Sequence, residues 1–356
     1  MRLYALQYLR ALAALAVVYH HLVEQLPQHA GTLPAGGAFG VDVFFVISGF
    51  IMIWIARGTD TPGRFLSNRI SRVVPLYWFF TLLMAAILLV APQLFKSSTL
   101  DLSSLLGSLF FWPHESSAHP GRLWPLVAPG WSLNYEMYFY TLFAASMVFA
   151  LRWRMAVVGA LLTIAFIAGC LWAGGIERGV DQTTGGTAGA LASFVSNTVV
   201  FEFVFGMALA VAYRRASANG WTLSGATATC LIVLGTCLLL LDLPGLHIVR
   251  YGLPAALVVA GCLYLTLPRW SLGELLGDAS YALYLSHIFV LGALRAVLPR
   301  LLEPVLGTGA AYAWSYVAIA LLACSVAGVV VHLLIDNWLL RRERLSMLRP
   351  GRAAAT

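Results

Sequence analysis

Apolar positions fall into ten runs of near membrane-spanning length, over residues 5–26, 39–56, 73–93, 130–150, 155–174, 191–213, 222–241, 250–267, 279–298 and 311–335. A helix needs about 20 predominantly apolar residues to cross a hydrocarbon core of about 30 Å, whereas a barrel strand would alternate over about ten. The runs do not alternate, so they predict an all-α integral membrane protein, a bundle of about ten transmembrane helices. The stretches between them are short except for residues 94–129, where 101–111 predicts a helix lying in the interface. No repeat or low-complexity tract divides the chain. It reads as one transmembrane domain over 1–340 with a short basic tail, 341–356.

Polar residues interrupt these runs at few places. The first run, Leu6 to Leu22, carries Arg10, His20 and His21. An interval of eleven residues returns to within about 20° of the same helix face, so Arg10 and His21 look at one common space, roughly 16 Å apart in depth. His20 points roughly 100° away. A membrane histidine is often a packing residue, but ionisable groups at this depth are functional candidates by default. Asp42 stands at the outer end of the second run, where it would suit the positive end of the helix dipole, and Ser48-Gly49 lies near its middle, a small pair that lets backbones approach. Arg69 and Arg72 stand three apart ahead of Pro75, so they project from nearly one side and can fork onto phosphate oxygens. In the fourth run Glu136 lies roughly 9 Å below the outer end, with Tyr140 one turn further on the same side. His21 and Asp42 come out at the same outer depth. Glu202 in the sixth run reads as a buried carboxylate bonded to a neighbouring helix. Ser280, Tyr284 and His287 form a polar stripe on the ninth, with His287 near mid-depth. His332 and Asp336 would tie the last helix to Arg341 and Arg342.

Composition agrees with the pattern. Of 356 residues 60% are hydrophobic and 10% charged, and the mean hydropathy of +0.83 excludes an ordinary soluble globular protein. The net charge of +7 is spread over short loops instead of forming one basic surface, which argues against nucleic acid. Of the 22 Lys and Arg residues only Lys96, Arg122, Arg178, Arg250, Arg295 and Arg300 fall on the side that 94–129 occupies, and fifteen fall on the other. That asymmetry predicts both termini in the cytoplasm. The five cysteines all lie in apolar runs without metal-ligand spacing, so small buried hydrophobes are expected, with no disulfide framework and no metal site. His114 and His119 likewise lack companions for a metal. The first run contains ionisable residues and no small-x-small cleavage site, so it reads as a retained helix and not a secretory signal.

Five stretches together resemble the acyltransferase type 3 family of bacterial membrane O-acyltransferases. They are Arg10 with His21, Gly40-Val-Asp-Val-Phe-Phe-Val-Ile-Ser-Gly49, Arg69-x-x-Arg72 with Pro75-Leu-Tyr77, Trp131-Ser-Leu-x-x-Glu136 with Phe139-Tyr140, and Gly277-Asp-Ala-Ser-Tyr281 with Tyr284-x-x-His287. They span residues 6 to about 340, closest in flavour to the exopolysaccharide-modifying members. No appended esterase-like domain is expected.

The resemblance implies a donor acyl-CoA, commonly acetyl-CoA, and a glycan or lipid-linked saccharide acceptor, in the bacterial inner membrane and with no permanently bound cofactor. Arg10, Arg69 and Arg72 would hold the nucleotide end, with Tyr77, Ser280 and Tyr284 beside them. Trp131, Tyr140 and His287 would face the acceptor. His21 would accept the proton of the attacking hydroxyl, a task suited to a neutral imidazole at physiological pH. Glu136 or Asp42 would orient its ring, and the hydroxyl of Tyr140 or Tyr284 would bond to the developing oxyanion. An acyl-histidine intermediate is an open alternative. So are two other function classes, a glycan transporter or flippase and a membrane sensor, since broken helices with buried ionisable groups also suit a substrate pathway.

Overall fold

The computed structural model describes residues 3–29, 31–56, 58–94, 100–176, 179–183 and 185–336. In chain order the helices are α1 (Tyr4–Glu24), α2 (Gly40–Ile55), α3 (Pro62–Val90), α4 (Leu102–Leu109), α5 (Trp131–Ser146), α6 (Leu151–Ala173), α7 (Gly186–Val195), α8 (Glu202–Ala218), α9 (Gly225–Leu241), α10 (Leu253–Tyr264), α11 (Ser271–Asp278), α12 (Ser280–Leu306) and α13 (Ala310–Val331). Among the described residues there is no strand, only one isolated antiparallel bridge between Arg122 and Gln182. The protein is all-helical. Helices α1, α3, α6, α12 and α13 are long and apolar enough to cross a membrane, and α2, α9 and the segment Ile248–Tyr264 are shorter apolar helices. The expected pairing of His332 and Asp336 with Arg341 and Arg342, and the tail 341–356, lie outside the described residues.

Several boundaries differ from the hydropathy pattern, each for a local reason. Helix α3 begins at Pro62, eleven residues before the apolar run, because Thr61 caps it by accepting the Arg64 N–H at 3.4 Å and Pro62 suits the first turn. Arg69 and Arg72 therefore sit on the same continuous helix as the apolar residues that follow. The run 191–213 is not one helix. Its Ser196-Asn197-Thr198 segment offers side-chain hydrogen bonds that compete with the helical ladder. Asn197 accepts the Val199 N–H at 3.0 Å and donates to the Gly179 carbonyl at 3.0 Å, so α7 stops and a short 3₁₀ turn, Thr198–Phe201, leads into α8. The helix expected over 101–111 is α4, capped by Asp101, which accepts the Ser104 N–H at 3.1 Å.

Close approach organises the centre. A Cβ added to Gly49 would collide with the Phe203 carbonyl, and one added to Gly206 with the Val46 carbonyl. Helices α2 and α8 thus touch backbone to backbone, as small residues permit in membrane bundles. Helix α5 joins this pair through Phe139, which stacks on Phe203 of α8 at 4.4 Å, and meets α7 through Tyr135, which stacks on Phe194 at 4.0 Å. Aromatic pairs of this kind each contribute about 0.5–1.5 kcal/mol beyond burial. Anchoring Tyr135 and Phe139 this way leaves the adjacent positions, Glu136 and Tyr140, facing a cavity. A second core, containing Leu22, Leu291 and Tyr316, packs α1 against α12 and α13.

Beyond α4 the long loop is tied to the segment before α7. Arg122 grips Asp181 through both carboxylate oxygens at 2.8 and 2.9 Å, and the Trp124 indole donates to Asp181 at 2.6 Å. Glu115 accepts from the Gly121 and Gly186 N–H groups at 2.7 and 3.0 Å, bonds that hold its carboxyl below the usual carboxylate range. One cysteine expectation fails. Cys262 and Cys324 are buried, but Cys230 and Cys237 are exposed, because α9 turns one face outward; all five thiols are free.

Candidate active site

Two stripes meet along the contact of α1 with α12. The Arg10 guanidinium donates to the Ser280 hydroxyl at 3.0 Å and to the Gln7 carbonyl oxygen of its side chain at 3.3 Å. Further along the same two helices the His21 and His287 rings stack at 5.2 Å with an interplanar angle of 22°. The i, i+11 pair of α1 therefore faces the i, i+7 pair of α12, and Tyr284 lies between them in sequence and in space.

Around Arg10 the chain forms a narrow chamber of about 100 Å³. Arg69, Arg72, Ser48, Glu136, Tyr140 and Ser280 also line it. Arg69 is 9% exposed, its guanidinium lies over the rings of Phe65 at 5.4 Å and Tyr140 at 5.8 Å, and its Nε makes no hydrogen bond among the described residues. The Tyr140 hydroxyl donates to Glu136, and Ser48 donates to the same carboxylate at 3.4 Å. Three guanidiniums against one carboxylate make the chamber cationic, and the free Arg69 donor gives an anion something to bind. Guanidinium pairs grip phosphate and carboxylate oxygens through charge-assisted bonds about twice as strong as neutral ones.

The second cavity, about 500 Å³, holds His21. It shares Val41 and Tyr284 with the chamber, so those two side chains form the partition between them. The Tyr284 hydroxyl is fixed at 2.8 Å from both Ser132 Oγ and the Pro129 carbonyl. Trp131 lines the His21 side of the partition. His21 Nδ1 lies 3.2 Å from Glu24 Oε2, which would orient the ring so that Nε2 is the free nitrogen. His287 is fully buried, with Nδ1 2.6 Å from the Tyr284 carbonyl and Nε2 without a hydrogen bond among the described residues.

The structure redistributes several expected partners. Neither Glu136 nor Asp42 bonds to His21: Glu136 belongs to the arginine chamber, and the carboxylate beside the His21 ring is that of Glu24. Its spacing was legible, since it stands three residues after His21, but it sits at the end of α1, where a carboxylate reads as an interfacial residue. His20 is not turned away from the site. Its Nε2 lies 3.5 Å from Glu24 Oε1 and it lines the same cavity, because the 100° step between neighbours still leaves both rings reaching one carboxylate. Asp42 is buried and hydrogen-bonded to His247, whose Nε2 is 3.5 Å from Glu202. Glu202 is thus buried beside a neighbouring element, as expected. His247 lies just ahead of the 248–252 π-helical turn before α10, outside every apolar run, and nothing in the pattern marked it. Tyr77 does not line the chamber. It is wholly buried against Phe111, ring centroids 4.9 Å apart, and against Gly130.

Similarity to known proteins extends over this whole assembly. The chain is 35% identical over 323 residues to the exopolysaccharide production protein ExoZ of Rhizobium meliloti, covering 89% of this chain and 94% of that one. It is 27% identical over 375 residues to the acyltransferase MdmB of Streptomyces mycarofaciens, covering 94% and 91%. Protein 2 in the picA locus of Rhizobium radiobacter matches at 32% over 145 residues, 36% of this chain and 74% of that protein. No solved structure matches. Residues 3–332, which include both cavities and the stripes of α1 and α12, match the acyltransferase domain profile, and the chain belongs to the acyltransferase type 3 family.

Proposed function

We propose that this membrane acyltransferase moves an acyl group, acetyl in the simplest case, from cytoplasmic acyl-CoA to a hydroxyl of a saccharide, glycolipid or lipid-linked glycan. The observation that carries the reading is the pairing of a cationic chamber with a histidine cavity across one thin partition. Arg10, Arg69 and Arg72 hold the anionic CoA end, and the thioester reaches the Tyr284 partition. The acceptor enters the His21 cavity past Trp131, where His287 backs the ring. His21 accepts the hydroxyl proton as the oxygen attacks the thioester carbon, the carbon–sulfur bond breaks, and the proton passes to the departing CoA thiolate. Glu24 holds the imidazole in place. The developing oxyanion lies within reach of the Tyr284 hydroxyl, which would have to exchange its bond to the Pro129 carbonyl. The relative named for exopolysaccharide production supports a polysaccharide acceptor.

The expected experiment is release of free CoA by purified protein in detergent, supplied with acetyl-CoA and exopolysaccharide or its lipid-linked precursor. Thiol release that depends on the acceptor supports the reading. Release that does not change when acceptor is added, or none at all with any saccharide, would remove it.

The proposed setting is the inner membrane, with ten spans and both termini in the cytoplasm, supported by the excess of arginine on one side. Reporter fusions after Pro120 and after Arg215 should then read outside and inside. The same reading at both positions rules this topology out.

A further inference from the structure

Away from the arginine chamber, three elements converge on a small set of donor atoms that the acyl-transfer chemistry does not use. Asp42 comes from the first turn of α2, Glu202 from the first residue of α8, and His247 from the segment that precedes the 248–252 turn. One carboxylate oxygen of each acid and the His247 Nε2 all lie within 4.8 Å of one another. Asp42 is 3% exposed and Glu202 is fully buried. Among the described residues neither oxygen of Glu202 accepts a hydrogen bond; the Asp42 carboxyl stands beside it and the His247 Nε2 is 3.5 Å away. Two buried carboxylates beside one imidazole are short of positive charge. Such a group needs either a proton held between the acids or a cation, because a buried carboxylate without a partner is costly.

The surroundings are built to hold the arrangement still. The Ile248 N–H donates to the Thr198 hydroxyl at 3.3 Å, which anchors the His247 segment to the turn that precedes α8. Gly252 lets that segment pass close to Glu202, since a Cβ there would stand 2.8 Å from the Glu202 Cγ. The Tyr251 ring tilts against the His247 ring at 5.0 Å. Asp42 and His247 also line the cavity that contains His21 and Trp131, so the set is closed on the helix side and open on the cavity side.

We infer that Asp42, Glu202 and His247 form a binding site for one divalent cation of the zinc class, with its remaining coordination position turned to the His21 cavity. The donor set decides the class: one imidazole with two carboxylates suits zinc and its neighbours, whereas calcium and magnesium take oxygen ligands alone. The geometry agrees. Two ligands at about 2.0–2.2 Å from a tetrahedral zinc stand about 3.3–3.6 Å apart, which includes the 3.5 Å between His247 Nε2 and Glu202. The direct Asp42–His247 hydrogen bond is shorter than that separation and has to open by about 1 Å for an ion to enter between them. A bound dication would neutralise the buried acids and pin α2, α8 and the start of α10 together at the wall of the His21 cavity. Three protein ligands with one open position is the coordination of zinc sites that present a water or a substrate oxygen.

The test uses Zn²⁺ alone on the full chain in detergent. Protein exposed to zinc and then passed over a desalting column should keep about one zinc per chain by mass spectrometry. Glu202→Gln, which keeps the side-chain shape, should keep none, and so should His247→Ala. Glu24→Gln separates this site from the other donor group, His20, His21 and Glu24, which is half-exposed; that variant should keep its zinc. A wild-type chain that retains no zinc overturns the site and leaves a proton between the acids. Zinc kept by Glu202→Gln, or lost in Glu24→Gln, overturns it equally by moving the metal elsewhere. Where the Glu202 or His247 variants fail to fold, the wild-type protein decides alone. Co²⁺ loaded into it should give the visible absorption of a four- or five-coordinate site, and a spectrum no stronger than that of aqueous Co²⁺ rejects the proposal.

Discussion

Replacing His21 by alanine should lower the rate of acceptor acylation by about 10²- to 10⁴-fold while leaving donor affinity near its wild-type value. The range is that of a positioned general acid–base group. Donor binding should survive because the arginine chamber and the His21 cavity are distinct spaces, divided by Val41 and Tyr284. Two neighbouring variants sharpen the result. Glu24→Gln keeps an oxygen 3.2 Å from His21 Nδ1 but removes its charge, so kcat should fall by less than in His21→Ala with the KM for donor unchanged. His20→Ala leaves the His21–Glu24 and His21–His287 contacts in place and should cost far less than either. Single-turnover CoA release followed across donor concentrations up to saturation reads all three. A folded His21→Ala protein that acylates its acceptor near the wild-type rate would take His21 out of the chemistry and leave the buried His287, stacked behind it, as the next base to test.

Arg72→Ala should weaken donor affinity about ten- to a hundredfold, the effect of losing one charged hydrogen bond of about 1.5–3 kcal/mol. Arg72 is the cleaner choice of the α3 pair. Arg69 lies over Phe65 and Tyr140, so truncating it would also remove packing and disturb the Tyr140–Glu136 contact. The KM for acetyl-CoA, or direct displacement of a CoA analogue from the detergent-solubilised protein, gives the readout. If Arg72→Ala abolished turnover without changing donor affinity, the α3 arginines would be assigned to holding the chamber's shape.

Much of this molecule is legible along the chain because a membrane imposes a simple rule. Backbone groups in lipid must be satisfied within the segment, so a long apolar run is a helix whatever it packs against. Most helix positions, the shared face of Arg10 and His21, the stripe of Ser280, Tyr284 and His287 and the Arg69–Arg72 pair follow from run length and helical period, and the five motif stretches carry the family; the one common space expected for Arg10 and His21 does not, since the two side chains line different cavities. Helix ends were less legible, since they depend on local polar competition: Thr61 and Pro62 extend α3 beyond its apolar run, and Asn197 breaks the run at 191–213. What only the tertiary structure decided is which ionisable groups share a space. Depth along a helix is set by counting, but the lateral position of a residue depends on how neighbouring helices cross. Glu136, Asp42 and His21 come out at similar depths in the sequence, yet Glu136 lies with the arginines, Asp42 with His247, and His21 with Glu24. His247 shows the limit most plainly: it enters from outside the apolar runs, and the backbone contact of α2 with α8, made through Gly49 and Gly206, helps set the acids it meets beside one another.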